Sequence, residues 1–141
     1  MVYSAVDMTL ADNVEVLSLI IGNAVFATGN ALNNGIVGND NDNVLDGGGG
    51  ADDLWGLGGN DTFVLRAGQA QGDRIHEFYG NGAGAGDVLR FEGYGTIAQG
   101  ATFHQLSATQ WQITSANGLI QETITLATGA VIDTTTDLIV V

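Results

Sequence analysis

Between Gly29 and Val64 one apolar side chain returns at every ninth position: Ile36, Leu45, Leu54 and Phe63. The stretch divides into units 29–37, 38–46, 47–55 and 56–64, and three columns keep their residue type through all of them. The first position is Gly29, Gly38, Gly47 and Gly56, the sixth is Asn34, Asn43, Asp52 and Asp61, and the eighth is the apolar column. A short fixed period marks a repeat architecture, so a solenoid is the first fold to consider. Six residues rich in Gly, Asn and Asp suit a tight turn with several positive φ angles. The other three suit a short strand whose middle side chain points away from its neighbours' side. With every eighth residue inward, two units complete one coil of a flattened roll. Ile36 then stacks on Leu54, and Leu45 on Phe63.

The flanks extend this picture. Residues 1–28 carry β-type patterning, with Val14, Val16 and Ser18 alternating against Glu15, Leu17 and Leu19. Gly22-Asn23-Ala24 starts like a unit, but the next Gly comes too early, so the segment reads as a degenerate turn capping the solenoid. Residues 65–92 leave the period. Residues 93–141 read as antiparallel β: Gln110–Thr114 alternates, Leu119–Leu126 is rich in Ile and Thr, and Asn117-Gly118 between them is a hairpin signal. Asp133–Asp137 reads as a polar turn, and Leu138–Val141 as a final apolar strand. The expected fold is all-β, a parallel β-roll capped by C-terminal antiparallel strands. Its parts are 1–92, roll and N-terminal cap around the core repeats 29–64, and 93–141, the C-terminal β cap.

Charge sharpens the reading of the turns. The chain has 141 residues and a formal net charge of −13, with 16 acids against three bases, Arg66, Arg74 and Arg90. Asp40, Asp42, Asp46, Asp52, Asp53 and Asp61 fall within the repeats without a base among them. Such a surface repels nucleic acid and anionic lipid and suits metal cations. Stacking sets loop 29–34 beside 47–52 and loop 38–43 beside 56–61, each gap lined by turn carbonyls and position-six side chains. Oxygen-only donors in flexible geometry favour Ca²⁺ over Zn²⁺ or Mg²⁺. Two coils offer too little apolar core to hold such a roll, so bound ions are expected to bridge the turns. There is no Cys, hence no disulfide framework. No apolar run is long enough to span a bilayer, and Met1–Ser4 lacks the features of a signal peptide.

Gly47-Gly48-x-Gly50-x-Asp52-x-Leu54 and Gly56-x-x-Gly59-x-Asp61-x-Phe63 resemble the RTX, or hemolysin-type, calcium-binding repeat. Leu57 departs from the pattern where the family has Gly, and units 29–37 and 38–46 follow an Asn-bearing variant. The resemblance spans roughly residues 8–92, including the lead-in Met8–Leu19, and is tightest over 38–64. It implies Ca²⁺ held by Asn34, Asn43, Asp52 and Asp61 at position six. Backbone carbonyls of Gly29, Gly38, Gly47 and Gly56 at position one, and of Gly49 and Gly58 at position three, complete the set. Asp40 contributes to the local field. Gly72–Phe78 and Gly86–Phe91 resemble the segment that closes such rolls. There Asp73 completes a last site against loop 47–52, with Glu77 a second acid; Asp73 and Asp87 also read as plain turn acids. The acid followed by apolar residues at the C-terminus resembles the signal of type I exporters. The family implies a secreted, extracellular bacterial protein whose export partner is transient and whose roll folds on meeting Ca²⁺.

No catalytic constellation is legible. His76-Glu77 lacks the second His of a zinc-protease helix, no Gly-x-Ser-x-Gly elbow occurs, and Gly47–Gly50 lacks the Lys of a phosphate loop. His76 and His104 read as surface or structural residues. The expectation is a non-catalytic calcium-binding roll. The alternative is a calcium-dependent polysaccharide-binding module, with Trp55 facing outward from a flat sheet, either packed under a neighbouring segment or stacking on sugar.

Overall fold

The computed structural model describes residues 1–80, 86–127 and 132–141. The chain lays short strands alternately in two sheets: β1 (Val2–Ser4), β2 (Met8–Thr9), β3 (Val16–Leu19), β4 (Phe26–Thr28), β5 (Gly35–Val37), β6 (Val44–Asp46), β7 (Asp53–Trp55), β8 (Thr62–Arg66), β9 (Arg74–His76) and β10 (Val88–Glu92). Odd strands run side by side in one sheet and even strands in the other, every neighbour in parallel. This is the parallel β-roll expected from the repeat. Ile36 sits beside Leu54 and Leu45 beside Phe63, in the register the period demands. The protein is all-β, with no α-helix among the described residues.

The roll reaches further than the repeats. Residues 1–28 do not form a capping turn; β1 to β4 extend both sheets. Their inward side chains prolong the same columns, Val2 and Leu17 ahead of Ile36, Met8 and Ala27 ahead of Leu45. The irregular spacing that hid these coils is absorbed in the turns. Downstream the period also lapses without ending the roll: Ile75 lies on Leu54 and Leu89 on Phe63, the extra residues falling in the turns after β8 and β9. Residues 81–85 of the closing segment lie outside the described residues.

The core is therefore larger than two coils supply. One column runs Val2, Leu17, Ile36, Leu54, Ile75, Leu126, the other Met8, Ala27, Leu45, Phe63, Leu89, Leu138. Leu17, Ile36, Leu45, Leu54, Phe63, Ile75 and Leu89 are fully buried, each contributing roughly 1.5–3 kcal/mol. Strands this short cannot stand alone; each is held by the coil above and below it.

The C-terminal strands join the same two sheets. β11 (Thr102–Gln105), β12 (Gln110–Thr114) and β13 (Gln121–Leu126) form an antiparallel meander whose last strand pairs parallel to β9. The turn between β12 and β13 is longer than a two-residue hairpin, with Gly118 at φ +71° and its N–H donating to Ser115 O at 2.8 Å. β14 (Leu138–Val140) pairs parallel to β10, following the turn in which Asp137 N–H donates to Asp133 O.

Candidate metal centre in the turn ladders

Alternation between sheets sorts the turns onto two edges. Turns 10–15, 29–34, 47–52 and 67–73 stack on one, and turns 20–25, 38–43 and 56–61, with residues 77–80 and 86–87, on the other. The sequence-predicted residues gather accordingly. Gly29, Asn34, Gly47, Gly49, Asp52 and Asp73 share the first edge; Gly38, Asp40, Asn43, Gly56, Gly58 and Asp61 share the second.

Position six builds a ladder on each edge. The Asn34 N–H donates to Asp52 Oδ1 at 2.7 Å, and the Asp52 N–H to Asp73 Oδ1 at 3.0 Å. On the other edge the Asn43 N–H donates to Asp61 Oδ1 at 2.8 Å, and the Asp61 N–H to Asp87 Oδ1 at 2.9 Å. Each carboxylate thus caps the strand start of the preceding coil. Asp87, read from sequence chiefly as a turn acid, holds the same station as Asp61. Its signal was the acid just before Val88-Leu89, the placement of Asp61 before Thr62-Phe63. Glu77, by contrast, is exposed at φ +55°.

Position one is Gly because the ladder leaves no room for more. A Cβ on Gly47 would collide with Asp52 Oδ2, and one on Gly56 with Asp61 Oδ2. At Gly29 and Gly38 it would meet the amide oxygens of Asn34 and Asn43 and the carbonyls of Gly47 and Gly56. Position three is less crowded: Gly58 lies under exposed Asp40, and the Gly49 N–H donates across the gap to Asn30 O.

The electrostatics are one-sided. Asp52, Asp61, Asp73 and Asp87 are 1–3% exposed, and none pairs with a cationic side chain among the described residues. Burial lifts the Asp52 carboxyl to about 6, despite the Asn34 N–H, with Asp46 and Asp53 adding repulsion. Burial likewise lifts Asp61 to about 7, against the Asn43 N–H, with Asp87 and Asp42 adding to the rise. Asp73 reaches about 7 through burial, then repulsion from Asp52, Glu122 and Asp46, offset by the Asp52 N–H. Burial also raises Asp87. Asp52 Oδ2 is buried without a hydrogen-bond partner, the condition that costs most in a protein interior.

These residues fit a hard cation. The donors are oxygen only, the carboxylates lack a counter-charge, and an orphaned oxygen points back into its own turn. Among the described residues no three acidic or histidine side chains converge as a ready-made cage. A cation would therefore draw on the carbonyls at positions one and three, with Asp52, Asp73 and Asp61 supplying charge.

The Asn-bearing turns are built differently, in a way the nine-residue pattern did not reveal. Positive φ occurs at Gly48, Gly50, Leu57 and Gly59, positions two and four of the last two units, but not at the matching residues of the first two. There Asn30 Oδ1 accepts from the Leu32 N–H and Asn39 Oδ1 from the Asn41 N–H, closing local turns through side chains.

On the outer face of the odd-strand sheet Trp55 is half-buried and stacked on His76, with ring centroids 4.2 Å apart and planes 8° from parallel. His76 Nε2 and Asp53 Oδ1 are 2.8 Å apart, and Arg74 pairs with the same carboxylate at 3.2 Å. One face of the indole is therefore taken. His104 is exposed on β11.

No family model matches this chain, and neither does any curated protein.

Proposed function

We propose that this chain is a non-catalytic, RTX-like calcium-binding β-roll, part of a secreted bacterial protein, that becomes ordered when it meets Ca²⁺ outside the cell. The observation that carries the reading is the pair of buried acid ladders, without counter-charge among the described residues, one of which leaves Asp52 Oδ2 orphaned. Without a cation these carboxylates oppose folding; with Ca²⁺ they bridge coils. Coupling the order of the acid-bearing coils to calcium suits passage through a type I exporter, since those coils stay loose where the ion is scarce. The polysaccharide reading has less support, because Trp55 spends a ring face on His76.

The test is far-UV circular dichroism and thermal melting of the chain in chelator, in millimolar Ca²⁺ and in millimolar Mg²⁺. Extracellular calcium modules bind at roughly 10⁻⁴–10⁻³ M, and saturating one site a hundredfold adds about 2.7 kcal/mol. We expect β signal and melting temperature to rise with Ca²⁺ and far less with Mg²⁺. Identical spectra and melts in chelator and Ca²⁺ refute the proposal.

A further inference from the structure

We infer that asparagine side-chain amides replace the cation in the N-terminal coils, so that residues 16–46 order without metal and the demand for calcium begins at Asp52. The second clause rests on the calcium reading; the first stands on hydrogen bonds alone.

In the gaps ahead of the two Asn-bearing turns, side-chain N–H groups occupy the place a cation would take among carbonyls. Asn30 Nδ2 donates to Ala11 O at 2.9 Å and Val14 O at 2.8 Å. Asn34 Nδ2 reaches Val14 O at 3.2 Å. On the other edge Asn39 Nδ2 donates to Ala24 O at 3.2 Å, and Asn41 Nδ2 to Gly22 O at 3.0 Å and Ala24 O at 3.2 Å. Asn43 Nδ2 adds a longer bond to Ala24 O at 3.4 Å. The acceptors belong to the preceding turn each time, so every bond staples one coil to the next.

An amide is suited to this because it serves both directions. Its N–H₂ neutralises upstream carbonyl lone pairs, while its oxygen accepts from its own turn, as Asn34 Oδ1 does from the Asn30 N–H and Asn43 Oδ1 from the Asn39 N–H. A carboxylate can do only the second, and facing carbonyls it would need a cation. That is the situation at Asp52, which accepts through Oδ1 from Asn34 and leaves Oδ2 buried and unpartnered. The boundary between the two chemistries coincides with the change in turn backbone, from side-chain-closed turns at 29–43 to turns with positive φ at Gly48, Gly50, Leu57 and Gly59. The stapled half thus presents β5 and β6 as a template on which the carboxylate half adds coils.

The experiment is hydrogen exchange of the full chain, read by mass spectrometry in chelator and in Ca²⁺, on wild type and on the Asn30→Ala/Asn39→Ala double variant. In wild type we expect residues 16–46 to exchange at least tenfold more slowly than 53–76 in chelator, with Ca²⁺ slowing mainly the latter. In the variant, exchange over 16–46 should accelerate by about tenfold for each amide removed, and Ca²⁺ should not restore it. The wild-type comparison stands whether or not the variant folds. Equal exchange of both regions in chelator overturns the inference and leaves the calcium reading intact. So does a variant whose 16–46 region exchanges unchanged, or is rescued by calcium. A protected 16–46 region, lost in the variant, with no calcium effect anywhere, sinks the calcium reading and leaves the staples standing.

Discussion

Leu57 occupies position two of its unit at φ +71°, where the preceding unit has Gly48 at +84°. A side chain in the left-handed region costs about 1–2 kcal/mol, and glycine's extra unfolded freedom returns roughly 0.5–1 of that. Leu57 is 45% exposed and contributes little burial in exchange. Leu57→Gly should therefore stabilise the protein by about 0.5–1 kcal/mol, seen as a higher urea midpoint at unchanged slope; a lower midpoint would mean the side chain has a packing role. Asp52→Asn tests the neighbouring claim. Asn keeps an Oδ1 acceptor for the Asn34 N–H but removes the buried charge. Melting in chelator should rise, while the gain on adding Ca²⁺ shrinks. A parallel Asp12→Asn change, at an exposed residue outside the ladders, should alter neither. If Asp52→Asn lowers the chelator melt and keeps the full calcium gain, the carboxylate is structural and no ligand.

At the scale of elements, the docking of the C-terminal meander turns on Glu122 of β13 and Tyr94. Both are buried, and the Tyr94 hydroxyl donates to Glu122 Oε2, which also accepts from the Gly68 N–H at 3.1 Å. Burial, then the bond to Glu122 and its charge, push the Tyr94 hydroxyl well above its ordinary range, so it stays a donor at every ordinary pH. Tyr94→Phe should cost about 1.5–3 kcal/mol, the range for a bond to a charged group, and should loosen β12 and β13 before the roll. Exchange protection would show it; uniform loss across both sheets would mean the meander and roll melt as one. This contact was not legible in the sequence, because it joins residues far apart with no period to announce them. The roll itself was legible where inward residues keep an 18-residue stacking distance, as with Ile36 and Leu54. At β1 to β4 the sequence showed β-type patterning but not the coils, because Leu17 and Ile36 are neighbours at a different spacing. Periodicity reports turns of constant length, whereas the sheets require only that an apolar residue arrive inward. The position-six candidates could be read because one column repeated. The Asn30 and Asn39 amides could not, since their N–H groups reach back a coil only in the folded chain.

For the whole molecule the buried acids set a dependence on pH whose sign differs from that of most proteins. Asp61 and Asp73 titrate at about 7 and Asp52 at about 6 in the fold, against 3.8 when unfolded. Between those limits the folded chain holds protons that the unfolded chain releases, so stability falls as pH rises. In chelator the melting temperature should drop from about pH 5 to about pH 8, by about 2–4 °C for each kcal/mol lost in a chain of this size. Below about pH 4 the trend should turn over. There Asp7, held below its ordinary value by the Phe26 and Val25 N–H groups, and Asp133, by Thr135, lose their bonds on protonation. Calcium inverts the main branch. Ligand carboxylates must be ionised, so protons compete with the metal, and the calcium gain should be largest near pH 8 and vanish toward pH 5. Plotted against pH, the chelator and calcium melting curves should converge on the acid side and separate on the alkaline side. Parallel curves would place bound calcium away from the ladders, and a chelator curve that is flat from pH 5 to 8 would show that the ladder acids ionise as freely as those on the surface.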